Sequence, residues 1–383
     1  MTSAPAAPVP ENRVSNPPTA PTAQPEPAPS PQPEPAPSPQ PDPAPAARRR
    51  PRTLLAMHAD LAARLIDPAT LDRLTALADL DPALVVDDFT DPRAVEALRD
   101  TEVIVSSWGC PPLDEDVLAR APALRAVVHA AGSVKHHITD ACWRRGIQVT
   151  SAAWANALPV AEYTVAVILL ANKQLLRIRE DYRARRGVPH DWQAAYPHAG
   201  NYQRTVGIVG ASRIGRRVLE LLRPHDLELL LHDPYVGPEE ARDLGARPVG
   251  LDELCADSDV VSIHAPELPS TRHLMDRRRL ALMRDGATLV NTARGSLLDQ
   301  DALLAEVTTG RLNAVLDVTV PEVLPPDSPL YDLPNVLVTP HIAGSLGGEL
   351  HRMAAAAADE LARYTAGLPF AHPVLPEEIA RSA

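Results

Sequence analysis

At 383 residues the chain is long enough for two domains, and a hydrophobic fraction of 45% with only 3% aromatics fits a soluble globular protein with aliphatic cores. A formal net charge of −12 argues against nucleic acid or an anionic membrane surface as the main partner, and ordinary solubility accounts for it. Cys110, Cys142 and Cys255 are widely spaced with no CxxC pair, which argues against a disulfide framework or a zinc knuckle, gives no metal site and fits a cytoplasmic setting.

Residues 1–52 read as a disordered Pro-rich N-terminal arm. A proline-alternating unit at 24–31 recurs at 32–39, and again from Gln40 with Asp42 in place of glutamate. Alternating proline removes amide donors and fixes φ, so neither helix nor sheet propagates. No apolar stretch near the N-terminus has the form of a signal-peptide core, and no later one spans a bilayer without charges. Folded structure is expected from Thr53. Strands at 53–57, 84–86, 102–106, 124–128 and 147–150 alternate with helices at 70–78, 92–98 and 114–120, which implies a parallel sheet covered on both faces. An apolar helix is expected over 158–174, with Glu162 its only acidic residue, suited to a domain or subunit contact. A second alternating series has strands at 205–209, 228–231, 260–263, 288–290, 314–316 and 336–338, closed by a helix at 353–364.

The stretch Gly210-Ala211-Ser212-Arg213-Ile214-Gly215 follows the 205–209 strand and opens a helix. Glycines there allow a tight turn and close approach of a pyrophosphate to helix-terminal amides. Ser212 stands where the fingerprint has its second glycine. Asp233, about 20 residues on at the end of the next strand, is placed to accept from both ribose hydroxyls and to repel a 2′-phosphate, so NAD is favoured over NADP. The plainer reading of Asp233, which precedes Pro234, is a turn residue.

Three further strand ends carry Arg294, then Glu322, then His341. In an open α/β fold those ends border one crevice. An arginine there can fork onto a carboxylate, and a histidine backed by a carboxylate can relay a proton. Singly, each residue has a dull explanation: a helix cap, a solvated charge, a turn. Their joint placement points to chemistry.

With Gly210 to Gly215, His264-Ala265-Pro266 with Thr271, Asn291 to Gly295, Leu316-Asp317-Val318 with Glu322, and Thr339 to Gly344, the chain from about Thr53 onward resembles the D-isomer-specific 2-hydroxyacid dehydrogenase family, which includes glyoxylate/hydroxypyruvate reductases and phosphoglycerate dehydrogenases. The resemblance implies an α/β fold of two doubly wound parallel-sheet domains. A flavodoxin-like substrate domain (53–155, with a C-terminal return at 341–383) would accompany a Rossmann-type NAD-binding domain (156–340). It implies hydride transfer between NAD and C2 of a 2-hydroxy or 2-oxo acid. His341 would be the acid/base, Glu322 its partner, and Arg294 the carboxylate-binding group. Arg213 and Ile214 would offer amides to pyrophosphate, Pro266, Thr271, Thr292 and Ala293 would line the cofactor groove with Gly344, and Asp317 would anchor the nicotinamide carboxamide. A homodimer through the cofactor domain is also implied, which suits the 158–174 helix.

The chain departs from the family at Ser212, at Val323 (usually proline) and, most informatively, at the loop Ala131-Gly132-Ser133-Val134. This loop aligns with the amides that hold substrate carboxylate, yet Val134 replaces a glycine and Lys135, His136 and His137 follow. The extra positive charge suits a larger or doubly anionic substrate; side chains facing solvent are the alternative. Trp108 and Trp154 either shape the pocket or simply pack. Rival functions are a phosphite dehydrogenase on the same fold and an NAD(H)-sensing, corepressor-like binding protein. A formate dehydrogenase fits less well, since such members carry glutamine where Glu322 stands.

Overall fold

The computed structural model describes residues 50–379. The proline-rich segment read as an arm lies outside them up to position 49. Folded structure starts earlier than expected: Pro51 is buried, Arg50 donates to the carbonyls of Thr75 and Ala78 at 2.7 and 2.9 Å, and the first strand includes Arg52. Arg52 is thus not part of the arm but a strand residue paired with Asp79 at 2.9 Å.

The first sheet contains β1 (Arg52–Ala56), β2 (Asp79–Val86), β3 (Val103–Ser106), β4 (Ala126–His129) and β5 (Gln148–Ser151), in the order β2-β1-β3-β4-β5. The second contains β6 (Arg204–Val209), β7 (Leu227–His232), β8 (Arg247–Pro248), β9 (Val260–Ile263), β10 (Thr288–Asn291), β11 (Asn313–Leu316) and β12 (Val336–Val338), in the order β12-β11-β10-β9-β6-β7-β8. All pairings are parallel. The first order is flavodoxin-like, the second Rossmann-type, reversing between β6 and β9.

Strands buried on both faces need apolar residues at every position. Leu54, Ile104 and Val127 enter the core on one face of the first sheet, while Leu55, Val105 and Val128 enter the core on the other. The second sheet repeats this, with Ile208, Leu231 and Val290 on one side and Val209, Ile263 and Leu289 on the other.

The long apolar helix spans Ala153–Asn172, beginning before the expected start because Pro159 is accommodated inside it. Its mean hydropathy of 1.4 and its length would suffice to cross a bilayer. Here Ala161, Val167 and Ile168 pack against Val206 and Ile208 of β6 and Val218 and Leu219 of the Arg213–Leu222 helix. After β12 the chain returns to the first sheet. Met353, Ala357 and Leu361 of the Leu350–Thr365 helix join the core of Leu55 and Val105. The tail that follows docks on β5: Val374 N–H donates to the Val149 carbonyl at 2.8 Å, and the Thr150 hydroxyl donates to the His372 carbonyl at 2.7 Å.

Candidate active site

The dinucleotide turn leaves β6 at Gly210, whose φ of +100° is left-handed backbone that favours glycine. A Cβ there would meet the Ala265 amide nitrogen at 2.7 Å, and one on Gly215 would run into the Gly210 carbonyl oxygen. Both glycines are therefore required by close packing of the turn against its own backbone and the end of β9. Ser212 is the N-cap of the Arg213–Leu222 helix, its hydroxyl accepting from Gly215 N–H at 3.3 Å. This explains how a serine serves in place of a glycine. Asp233 accepts from Ala211 N–H at 2.7 Å through Oδ2 and from Tyr235 N–H at 2.8 Å through Oδ1. It therefore is a turn residue, and it sits at the carboxyl end of β7 as a ribose ligand must.

Under the turn lies His264, which the sequence reading quoted without a role. Its Nε2 is 2.9 Å from the Ser262 hydroxyl, and burial pushes it down to about 3. Thr271 closes the loop after Pro266, donating to the Pro266 carbonyl at 2.7 Å and accepting from Leu268 N–H at 2.9 Å. The Thr292 hydroxyl is 3.0 Å from that of Thr164, and Ala293 beside it is buried.

The three charged residues follow adjacent strands, and two of them touch. Arg294 follows β10. Asn291 shapes its turn, donating from Nδ2 to the Arg294 carbonyl at 2.9 Å and accepting from Ala293 N–H at 3.1 Å. Gly295 is required next, because a Cβ there would strike the Thr319 carbonyl. Glu322 follows β11 and His341 follows β12, and His341 Nδ1 is 2.5 Å from Glu322 Oε1. Both side chains are about half exposed, so the pair faces open space. His341 has a φ of +55°. That conformation is held by Asp317: its carbonyl accepts from His341 N–H at 2.9 Å, Oδ1 accepts from the Thr339 hydroxyl at 2.6 Å and Ile342 N–H at 2.8 Å, and Oδ2 accepts from Ala343 N–H at 2.9 Å. Tyr163 reaches the same network through Thr339 at 3.0 Å. Asp317 is 1% exposed, so in this structure its carboxylate holds the His341 loop.

From the first sheet, the Ala131–Val134 loop faces the same crevice. Asn156, which the sequence reading missed, bridges the two sides. A Cβ on Gly132 would lie 3.6 Å from its Nδ2 and one on Gly344 3.3 Å from its Oδ1, which also accepts from Ser345 N–H at 2.9 Å. Nothing marked it in sequence, where it preceded the expected helix at 158–174. Val134 is buried and Lys135 exposed. Partial burial and the nearby Arg294 cation lower the Lys135 ammonium's pKa, against the pull of Glu267. His137, expected beside Lys135, is buried instead. Trp154 packs against His372 at a ring distance of 5.0 Å, while Trp108 is 43% exposed. A cavity of about 690 Å³ lies elsewhere, lined by Arg177, Arg204, Asp259 and Arg311 at the amino-terminal ends of the second sheet's strands, so enclosed volume does not mark this crevice.

Residues 165–343 match the family model for the D-isomer specific 2-hydroxyacid dehydrogenase, NAD binding domain. The chain is 33% identical over 309 residues to glyoxylate/hydroxypyruvate reductase B of Pectobacterium carotovorum, covering 79% of this chain and 90% of that one. It is 32% identical over 297 residues to D-3-phosphoglycerate dehydrogenase of Mycobacterium bovis, covering 77% of this chain but 51% of the relative, so it spans about half the length of that protein. A D-lactate dehydrogenase from Aquifex aeolicus, solved with NAD and lactic acid, is similar in structure with a TM-score of 0.62 and 28% identity, covering 82% of this chain and 96% of that one. With its fingerprint turn, its paired sheets and these relatives, the chain belongs to the D-isomer-specific 2-hydroxyacid dehydrogenase family, and its second sheet is that family's NAD-binding domain.

Proposed function

We propose that this chain transfers a hydride between NAD and C2 of a small-molecule 2-hydroxy or 2-oxo acid. The observation that carries the reading is the 2.5 Å contact between His341 and Glu322, on loops leaving adjacent strands beside Arg294. NAD, when bound, supplies or accepts the hydride. Gly210, Ser212 to Gly215 and Asp233 suit its pyrophosphate and ribose, and Pro266, Thr271, Thr292, Ala293 and Gly344 its groove. With Nδ1 engaged by Glu322, His341 presents Nε2 to the substrate oxygen. In reduction that nitrogen gives its proton to the C2 carbonyl oxygen as the hydride reaches C2; in oxidation it takes the hydroxyl proton. Glu322 orients the ring and offsets the imidazolium charge. Arg294 grips the carboxylate through its fork and polarises the carbonyl, helped by amides of Ala131 to Val134. Asp317 fixes the His341 loop and is the group proposed to anchor the nicotinamide carboxamide.

The chain is further read as a cytoplasmic homodimer joined through the cofactor side. Supporting this, Leu170, Leu175, Tyr182, Val188 and Tyr202 are exposed along one stretch of chain. Light scattering on a sizing column that gives a monomer mass would reject it.

The experiment on function follows NADH absorbance with glyoxylate, hydroxypyruvate, pyruvate and phenylpyruvate. Turnover of one of them, lost in His341→Asn, supports the reading. Tight NADH binding without turnover would favour the sensor, and phosphite-dependent NAD reduction alone would favour the phosphite enzyme.

A further inference from the structure

Behind the Ala131–Val134 loop lies a buried polar cluster that the proposed chemistry does not use. Ser106 ends β3 and His129 ends β4, and the two are register partners. The Ser106 hydroxyl is 2.9 Å from His129 Nδ1 and 3.3 Å from His137 Nε2, and the two rings lie 4.5 Å apart. All three residues are 2% exposed or less, and His129 Nε2 is buried with no hydrogen-bond partner.

One hydroxyl has one proton to give. It donates to one imidazole and can accept from the other, so the accepting ring must be neutral, and burial disfavours charge on both. Burial strongly disfavours charge on His129, with His137 and His136 adding to this and the Ser133 backbone opposing it; burial and then His136 act on His137. His129 precedes the loop and His137 follows it. Within this span, His137 N–H donates to the Val134 carbonyl at 3.2 Å, Leu113 N–H donates to the His137 carbonyl at 2.8 Å, and the Ser107 hydroxyl donates to the Ala130 carbonyl at 3.3 Å. The near end of the loop is β4 itself, and the Ser106 hydroxyl ties the His137 end to that sheet. Simple filling of space would favour apolar side chains, because a polar group buried without a partner, such as His129 Nε2, costs free energy.

We propose that Ser106, His129 and His137 form a neutral brace that fixes the Ala131–Val134 amides for the substrate carboxylate, making them positioning residues specific to this chain's form of the loop. The brace rests on the reading of that loop as the carboxylate site, but it has its own readout. Ser106→Ala and His129→Leu should speed hydrogen exchange of the 131–134 amides, while β6 and β9 amides keep their protection. His129→Asn, which replaces the Nδ1 donor or acceptor, should largely restore slow exchange. In kinetics at saturating NADH, the first two variants should raise KM for the 2-oxo acid about tenfold, with kcat and KM for NADH little changed.

Unchanged loop exchange in Ser106→Ala and His129→Leu overturns the brace. So does equal loss in His129→Asn and His129→Leu, which would mean that only shape matters. Local exchange that speeds up while KM stays unchanged overturns the substrate role. Should no 2-oxo acid be turned over by the parent chain, the proposed function fails while the exchange result still decides the brace.

Discussion

Acidification should destabilise this protein before its carboxylates titrate. His137 is pushed down to about 4, by burial first and the charge of His136 second, and His264 to about 3 by burial. An unfolded histidine titrates near 6.5. His129 moves in the same direction through burial and His137. Since each native value lies below the unfolded one, the unfolded chain binds the proton first. Stability is full above about pH 6.5 and falls as pH drops towards the native values. One pH unit in that window is about 1.4 kcal/mol per imidazole, so at pH 5 His137 and His264 each cost about 2 kcal/mol. Paired carboxylates stay out of the window: Asp252, for example, is held down to about 2 chiefly by Arg278. His129 and His137 belong to the first sheet and His264 to the second. From pH 7.5 to 5 the first sheet's domain should lose about 2 kcal/mol through His137, with His129 acting in the same direction. Trp108, Trp143 and Trp154 all lie among its elements, so urea unfolding followed by tryptophan emission reads that loss. His137→Gln should remove about one proton from the pH slope. A midpoint unchanged between pH 7.5 and 5, or a variant with the parent's slope, refutes the view that these rings fold uncharged.

Four other outcomes are expected. His341→Asn should lower kcat by about 10³ and Glu322→Gln by about 10², with NADH affinity by fluorescence titration unchanged. Asp317→Asn places an amide donor against Thr339, Ile342 and Ala343; it should cost about 1–3 kcal/mol in thermal unfolding and lower kcat through the His341 loop. Gly215→Ala should abolish NADH binding in calorimetry and lower the thermal unfolding midpoint, because its Cβ meets the Gly210 carbonyl oxygen and the turn must shift to admit it. Lys135→Ala should raise KM for a doubly anionic 2-oxo acid such as oxaloacetate and leave glyoxylate unaffected; unchanged KM for both removes the doubly anionic substrate from consideration.

The sheets and the Arg294, Glu322 and His341 loops were legible in sequence because parallel strands buried on both faces are continuous apolar runs, and an open α/β fold puts chemistry where those runs end. What a polar residue at such an end does was less legible. Ser212, Thr271 and Asp317 have the right residue types for ligands, yet each is engaged with backbone a few residues away or in the next loop. Residue type cannot separate a side chain that holds a loop from one that holds a ligand, since both need the same donors and acceptors. Asn156 and His129 were missed because their partners, Ser345 and Ser106, are distant in sequence. Two boundaries moved: the first strand begins at Arg52, and the long helix begins at Ala153 with Pro159 inside it.

The same distinction settles the loop of Glu322, which lacks the proline usual after it. Val323 is 79% exposed and holds nothing. The loop is fixed upstream instead. Gln300 grips both polar groups of Val320, accepting from its N–H at 3.0 Å and donating to its carbonyl at 2.9 Å. The Thr319 hydroxyl then donates to the Pro321 carbonyl at 2.8 Å. Asn291 does the same for Arg294 and Asp317 for His341. Each of the three charged residues thus stands on a loop held by a different side chain that does not itself provide the charge. Holding by hydrogen bonds to backbone leaves the sequence of the loop free to vary, and this is why Val323 is tolerated while Gly295, pressed against the Thr319 carbonyl, is not replaceable.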